Sequence, residues 1–189
     1  MIKYLWEILP LSSPAVLKNC PKCGNRSVYQ CSGNFRVNAN QNHIDVWLIY
    51  LCEKCKSTWN MEILSRRDKK SIDRDLYEKF LGNDPELARQ YAFDISIHNQ
   101  NKSTLDYGNL PYDLSGDSFS LLGLKEAVEL EILCKYAVDV RLDMLLSRKL
   151  QVSREYIKRM TKQNKIWVEG FQASGKEKVK NGLRINILP

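Results

Sequence analysis

Four of the six cysteines stand in two Cys-x-x-Cys pairs, Cys20-Pro-Lys-Cys23 and Cys52-Glu-Lys-Cys55, with 28 residues between them. Each pair can turn two thiolates to one side of a tight knuckle, and two such knuckles supply the tetrahedral sulfur set that zinc takes. Gly24 after the first pair and Lys56-Ser57 after the second suit knuckle turns, and Lys22 and Lys54 offset part of the thiolate charge. Disulfides compete with this reading only in an oxidising compartment. The opening MIKYLWEILP has one Lys, an interrupting Glu and no small-residue cleavage site, so it does not read as an export signal. A dithiol redox centre would not need two matched pairs. The spacing predicts one zinc ion on Cys20, Cys23, Cys52 and Cys55, with no open coordination position, hence a structural metal. Cys31 and Cys134 read as small core residues, and His43 as a solvent-facing turn residue.

The residues between the pairs predict a long hairpin. Val28 to Val37 forms a first strand, the turn-rich Asn38–Asn42 reverses the chain, and Ile44-Asp45-Val46-Trp47-Leu48-Ile49-Tyr50-Leu51 returns, rich in β-branched and aromatic residues. Thr58 to Leu64 predicts a third strand. Two knuckles around a hairpin with a closing strand resemble the zinc-ribbon family over about 45 residues.

Charge divides the chain in three. Residues 1–70 carry 11 Lys/Arg against 5 Asp/Glu, residues 71–139 carry 6 against 13, and residues 140–189 carry 12 against 4. This predicts a zinc ribbon with an N-terminal strand over 1–70, an acidic helical linker over 71–139 and a basic module over 140–189. In the middle, Ile72, Leu76 and Phe80 recur at helical spacing up to Gly82. Asp84-Pro85-Glu86 then starts a second helix that runs to about His98. A helix pair of this kind could read DNA, but Arg89 is the second helix's one Lys or Arg, beside Glu86 and Asp94, so packing is the better reading. Asn99–Asp117 reads as a long loop. Its Asp106, Asp113 and Asp117, with His98, have no spacing that marks a site and read as solvated acids. Val128 to Tyr136 alternates as a strand.

In the basic module, Asp143 is placed to cap a helix ending near Leu150. Ser153 is placed to cap a second, with Val152 and Ile157 as a hydrophobic staple, that ends near Gln163-Asn164. Ile166-Trp167-Val168 and Leu183 to Leu188 predict strands, with turns at Gly170 and Asn181-Gly182. Arg154, Lys158 and Lys162 share one face of the second helix, flanked by Arg159 and Lys165, with Arg141 and Arg148 on the helix before. Charge alone leaves a phosphate-contacting face and a merely solvated one equally open.

Arg141-Leu142-Asp143, then Ser153-Arg154, then the Ile-x-Val-x-Gly strand ending on Gly170, then a closing strand, resemble the S-four-type RNA-binding domain (αL motif). The likeness covers about 48 residues. It implies that Arg141, Ser153 and Arg154 occupy the motif's characteristic positions and Gly170 its turn. Ribbon, acidic segment and this module in succession also resemble a functionally uncharacterised bacterial family.

These readings predict an α+β protein without enzymatic activity, since no open metal site and no nucleophile–base pair at a known spacing is present. No apolar run approaches the roughly 20 residues that span a bilayer, and a cytoplasmic location is expected. The expected partner is structured RNA, tRNA-like or ribosomal, with a possible protein partner, no membrane and no small-molecule substrate. The RNA face would be Arg141, Arg148, Ser153, Arg154, Lys158, Arg159, Lys162 and Lys165. The ribbon would add a second basic platform through Arg26, Arg36, Lys56, Arg66 and Arg67, with the acidic middle spacing or masking the two. Two alternatives are a protein-interaction adaptor, motivated by Glu155 and Glu169 near the RNA face, and a DNA-binding regulator.

Overall fold

A computed structural model describes residues 1–108 and 110–189; Asn109, inside the segment read as a loop, lies outside the described residues. Strands β1 (Ile2–Pro10), β2 (Ala15–Cys20), β3 (Asn25–Asn40), β4 (His43–Cys52) and β5 (Thr58–Asp68) precede helices α1 (Arg74–Leu81), α2 (Pro85–Phe93) and α3 (Ile95–Gln100). Strands β6 (Thr104–Asp106), β7 (Tyr112–Ser115) and β8 (Val128–Cys134) lead to α4 (Leu142–Leu150) and α5 (Arg154–Lys162). Strands β9 (Ile166–Val168), β10 (Phe171–Gln172) and β11 (Leu183–Ile187) follow. The α+β class is as expected. The division is not the three segments that charge suggests: the chain forms two compact units, Ser12–Leu110 and Met1–Leu11 with Pro111–Pro189.

The first unit is an antiparallel sheet in the order β5-β4-β3-β2-β6. Strand β4 shows why: Ile44, Val46, Leu48, Tyr50 and Cys52 are buried on one face and alternate with partly exposed residues on the other. The hairpin turn is tighter than the asparagine-rich stretch suggests, since β3 pairs through to Asn40 and only Gln41 and Asn42 turn, Gln41 with φ 53°. His43 opens β4 and is exposed, as expected. Helices α1 and α2 cover the buried face through Phe80, Ala88 and Ala92, which join the sheet's core. The rings of Phe35, Phe80 and Tyr91 meet with centroids 5.0 to 6.2 Å apart. Asn83, in the left-handed turn between the helices, accepts a 2.6 Å bond from Phe35 N–H, where the β3–β4 register shifts. The helix pair therefore packs.

Two expectations for this region change. The helix from Pro85 does not run to His98. Asp94 breaks it because its carboxylate accepts from Ser96 and Ile97 N–H (2.8 and 3.2 Å), which caps a new helix, α3. The stretch read as a loop contains β6 and β7, and β6 pairs with β2. His98 is 1% exposed, with Nδ1 2.8 Å from Ser103 Oγ and Nε2 3.0 Å from the Ala92 carbonyl, so it is a satisfied core residue.

The second unit is a sheet in the order β10-β9-β11-β8-β1-β7, in which only the β1–β8 pair is parallel. Strand β1 thus belongs here and not with the ribbon, because Trp6 and Ile8 are fully buried and β1 runs in register with the apolar alternation of β8. Trp6 donates its indole N–H to the Asp117 carbonyl at 2.8 Å. Gly116 sits at φ 96°, where a β-carbon would overlap the Leu5 carbonyl oxygen, so this position requires glycine. Leu142, Leu145, Leu146, Ile157 and Met160 turn α4 and α5 into the core. Cys134 is buried, as expected, and Cys31 is partly buried. The acidic segment is therefore no separate linker: residues 71–110 complete the ribbon unit, and residues 111–139 supply β7 and β8. No helix among the described residues is long and apolar enough to cross a membrane.

Candidate functional sites: a four-cysteine cluster and a basic concavity

Strands β2 and β4 end on Cys20 and Cys52, and a similar turn after each returns the second cysteine. Gly24 N–H donates to the Cys20 carbonyl and Lys56 N–H to the Cys52 carbonyl, both at 2.9 Å. Gly24 (φ 69°) and Lys56 (φ 59°) both take the left-handed conformation, as the knuckle reading expects. Strand pairing then joins the knuckles, and the four sulfur atoms lie within 4.8 Å of one another. Cys20 Sγ is 3.6 Å from Cys55 Sγ, and Cys23 Sγ is 3.9 Å from Cys52 Sγ. A tetrahedral ion with Zn–S bonds of about 2.3 Å separates its sulfurs by about 3.8 Å, so the spacing fits.

The Ser57 hydroxyl, 3.0 Å from Cys55 Sγ and 3.4 Å from Cys20 Sγ, can donate to either. That hydroxyl holds the Cys20 thiol down to about 5 and also lowers Cys55, while the hydrogen bond with Cys55 pushes Cys23 up to about 12. Neighbouring thiolates repel one another, and a divalent cation held among the four sulfurs removes that repulsion. The cluster has the donors and the spacing for a metal ion such as zinc.

The second site is in the unit built on β8. Asp143 does not take the cap position of α4 that the sequence suggests: Arg141 occupies it and its side chain makes no capping bond, while Asp143 lies in the first turn. Its carboxylate instead accepts bonds from Arg141 Nε and Nη2 (3.0 and 2.8 Å) and from Arg154 Nη2 (2.9 Å). Burial alone would raise this carboxyl; the bonds from Arg154 and Arg141 outweigh it and hold the group below the usual aspartate range. Two guanidinia are thereby fixed side by side at the start of two helices. They border a concavity of about 260 Å³ together with Lys158, Lys176 and Glu155.

The far wall of this concavity is a loop that the sequence reading passed over. Asp143 N–H donates to the Gly175 carbonyl at 3.0 Å, and Glu177 accepts from Ser174 N–H at 2.6 Å. Ser174, Gly175 and Lys176 are thus held against α4. The signal was the small-residue Ala-Ser-Gly turn carrying a lysine. Chemically, the concavity offers four cations against two carboxylates; the arginines engage Asp143, and Lys158 lies 3.7 Å from Glu155.

The eight residues expected on one RNA face do not all meet. Arg141, Arg154 and Lys158 share the concavity. Ser153 lies beside them as the α5 cap, its hydroxyl accepting from Tyr156 N–H at 3.1 Å. Lys162 is exposed farther along the same stripe. Arg159 and Lys165 border a different cleft on the other flank of α5. Arg148 stacks over Tyr112, its guanidinium carbon 5.0 Å from the ring centroid, because it projects from the last turn of α4 towards β7. The ribbon's basic residues are all exposed but do not form one platform: Arg26 and Arg36, ten positions apart on β3, are on the order of 30 Å apart. Asp106, Asp113 and Asp117 join no ligand cluster with His98; among the described residues, the four cysteines are the one close group of potential metal ligands.

Comparison with curated proteins and with solved structures returned no match. Residues 37–170 match a family described as "Protein of unknown function (DUF1062)". The matched span runs from the last residues of β3 to the turn after β9, covering most of the ribbon unit and the α4–α5 pair. That is well over half of the sequence, and the chain belongs to the DUF1062 family.

Proposed function

We propose that this is a non-enzymatic, zinc-containing RNA-binding protein that grips structured RNA, tRNA-like or ribosomal, by its phosphates and shape. The observation that carries this reading is the Arg141–Asp143–Arg154 cluster with Lys158 and Lys176 around one concavity. A carboxylate that orients two arginines pre-organises forked donors for phosphate oxygens, as recognition of a nucleic-acid backbone demands. The resemblance to the S-four-type domain supports it, since Arg141, Ser153 and Arg154 are the motif positions and all lie at this concavity or its edge. In the ribbon unit one zinc ion on Cys20, Cys23, Cys52 and Cys55 would staple the strand ends and activate no water, since four thiolates fill its coordination. Cysteines outside disulfides suit a reducing compartment such as the cytoplasm.

The test is binding of the zinc-loaded protein to a structured RNA and a matched DNA duplex across a salt series, with Arg154→Glu/Lys158→Glu in parallel. RNA should be preferred, and the double variant should flatten the plot of log affinity against log salt by about 2, roughly one per lost phosphate contact. Preference for duplex DNA would favour the regulator. Weak binding indifferent to the substitutions would favour the adaptor, with Glu155 and Glu169 as part of a protein-binding face.

A further inference from the structure

Helix α5 separates two concavities. One is the phosphate-facing cluster beside Arg154 and Lys158. The other, on the opposite flank, also has a volume of about 260 Å³ and is bordered by Tyr156, Arg159, Met160, Gln163, Lys165 and Leu121. Residues 154, 158 and 162 fall on one side of a 3.6-residue helix, and residues 156, 159 and 163 on the side away from them. The two clefts are therefore reached over the exposed back of a single helix.

The second cleft has a different chemistry. Its floor is apolar, with Leu121 4% and Met160 5% exposed. One wall is a stacked pair: the Arg159 guanidinium lies over the Tyr156 ring, 4.9 Å from the centroid. The Gln163 carboxamide is exposed at the rim, and Lys165 adds a cation. An apolar floor, a planar stacking wall and one amide able to donate and accept fit a small flat heterocycle with a polar edge. The volume is below that of sites for drug-sized molecules, as a single ring system requires.

We infer that this cleft takes one unpaired nucleobase of the RNA whose phosphates occupy the Arg141–Arg154 concavity. The inference rests on the RNA-binding reading and deepens it. The preferred ligand is then an interrupted helix, with a bulged, looped or terminal base beside a paired segment. A base held inside an uninterrupted duplex cannot enter the cleft, whereas a splayed one stacks on Tyr156 and Arg159 and presents its edge to Gln163.

The test uses the full chain with zinc and two RNA hairpins of equal length and charge. One is fully paired, and the other carries a single unpaired 2-aminopurine. The wild type should bind the unpaired probe at least roughly fivefold more tightly, the low end of what one stacked base contributes, and should quench its emission. Tyr156→Ala should abolish both the preference and the quenching, so that the two hairpins bind it equally, and Tyr156→Phe should retain them. Equal affinity for the two hairpins, with binding still sensitive to Arg154→Glu, overturns the base cleft and leaves RNA binding in place. Absence of any Arg154-sensitive RNA binding overturns both.

Discussion

Replacing Asp143 by asparagine removes a charge at the basic concavity with almost no change of shape. The residue is 8% exposed and accepts three bonds of 2.8 to 3.0 Å from two arginines. Removing one member of a fully buried ion pair costs about 3–5 kcal/mol, because the other charge is stranded. Here the Arg141 and Arg154 side chains are 39% and 53% exposed, so both guanidinia can turn to water, and the carboxamide oxygen still accepts one bond. The expected loss is about 2 kcal/mol, below that range and near the value of one charge-assisted bond.

Urea unfolding at a series of pH values measures it. The folded carboxyl titrates below its ordinary range, so the unfolded chain takes up the proton first. The stabilisation is complete above the unfolded value, near 4, and is lost as pH falls through the folded one. Asparagine carries no such proton, so the gap between wild type and variant should be full at pH 7 and should close in acid. Equal stability at pH 7, or a gap that does not narrow, would refute the role assigned to the carboxylate.

Two further outcomes concern the ribbon unit. Burial lowers the pKa of His98, so stability should fall as pH drops from about 6.5 towards the folded value, and His98→Gln should flatten that slope in urea titrations at matched zinc. Elemental analysis should find one zinc per chain. Chelation or Cys52→Ser should strip hydrogen-exchange protection from the knuckle amides of Gly24 and Lys56, while the Phe35–Phe80 end stays protected; a metal-free protein with unchanged protection there would sink the zinc assignment.

The cysteine site was legible because its information is local: two knuckles need only the right residue types at fixed spacing, and the pairing of β3 with both β2 and β4 then carries them together. The caps at Asp84 and Ser153 were legible for the same reason. The Asp94 break was missed because Leu87, Tyr91 and Ile95 keep one helical phase across it, and the apolar pattern outvoted the capping residue. Asp143 reads as a cap because a carboxylate in the first turn of a helix and one at its cap look alike in sequence. Arg154, eleven positions on, decided between them. The fate of β1 was not legible at all, since a parallel partner more than a hundred residues away leaves no local trace.

That long-range pairing changes what the basic module is. Residues 140–189 taken alone would keep α4, α5 and the narrow β10-β9-β11 sheet. In the protein, β11 is an interior strand: Leu183 stands opposite Ile132 and Ile185 opposite Leu130, all buried, and β1 pairs along the far side of β8. A chain cut at Val140 would turn β11 into an exposed edge and open the core beneath α4 to water. The Asp143 cluster depends on the same core, since Leu142 and Leu145 beside it are fully buried. The natural boundary follows the contacts, with Ser12–Leu110 inserted between β1 and β7 and the nucleic-acid candidate completed by the first eleven residues of the chain. Probing the basic concavity apart from the four-cysteine cluster therefore calls for point substitutions such as Arg154→Glu, because truncation at the charge boundary would remove β8 and β1, which close the sheet beside β11.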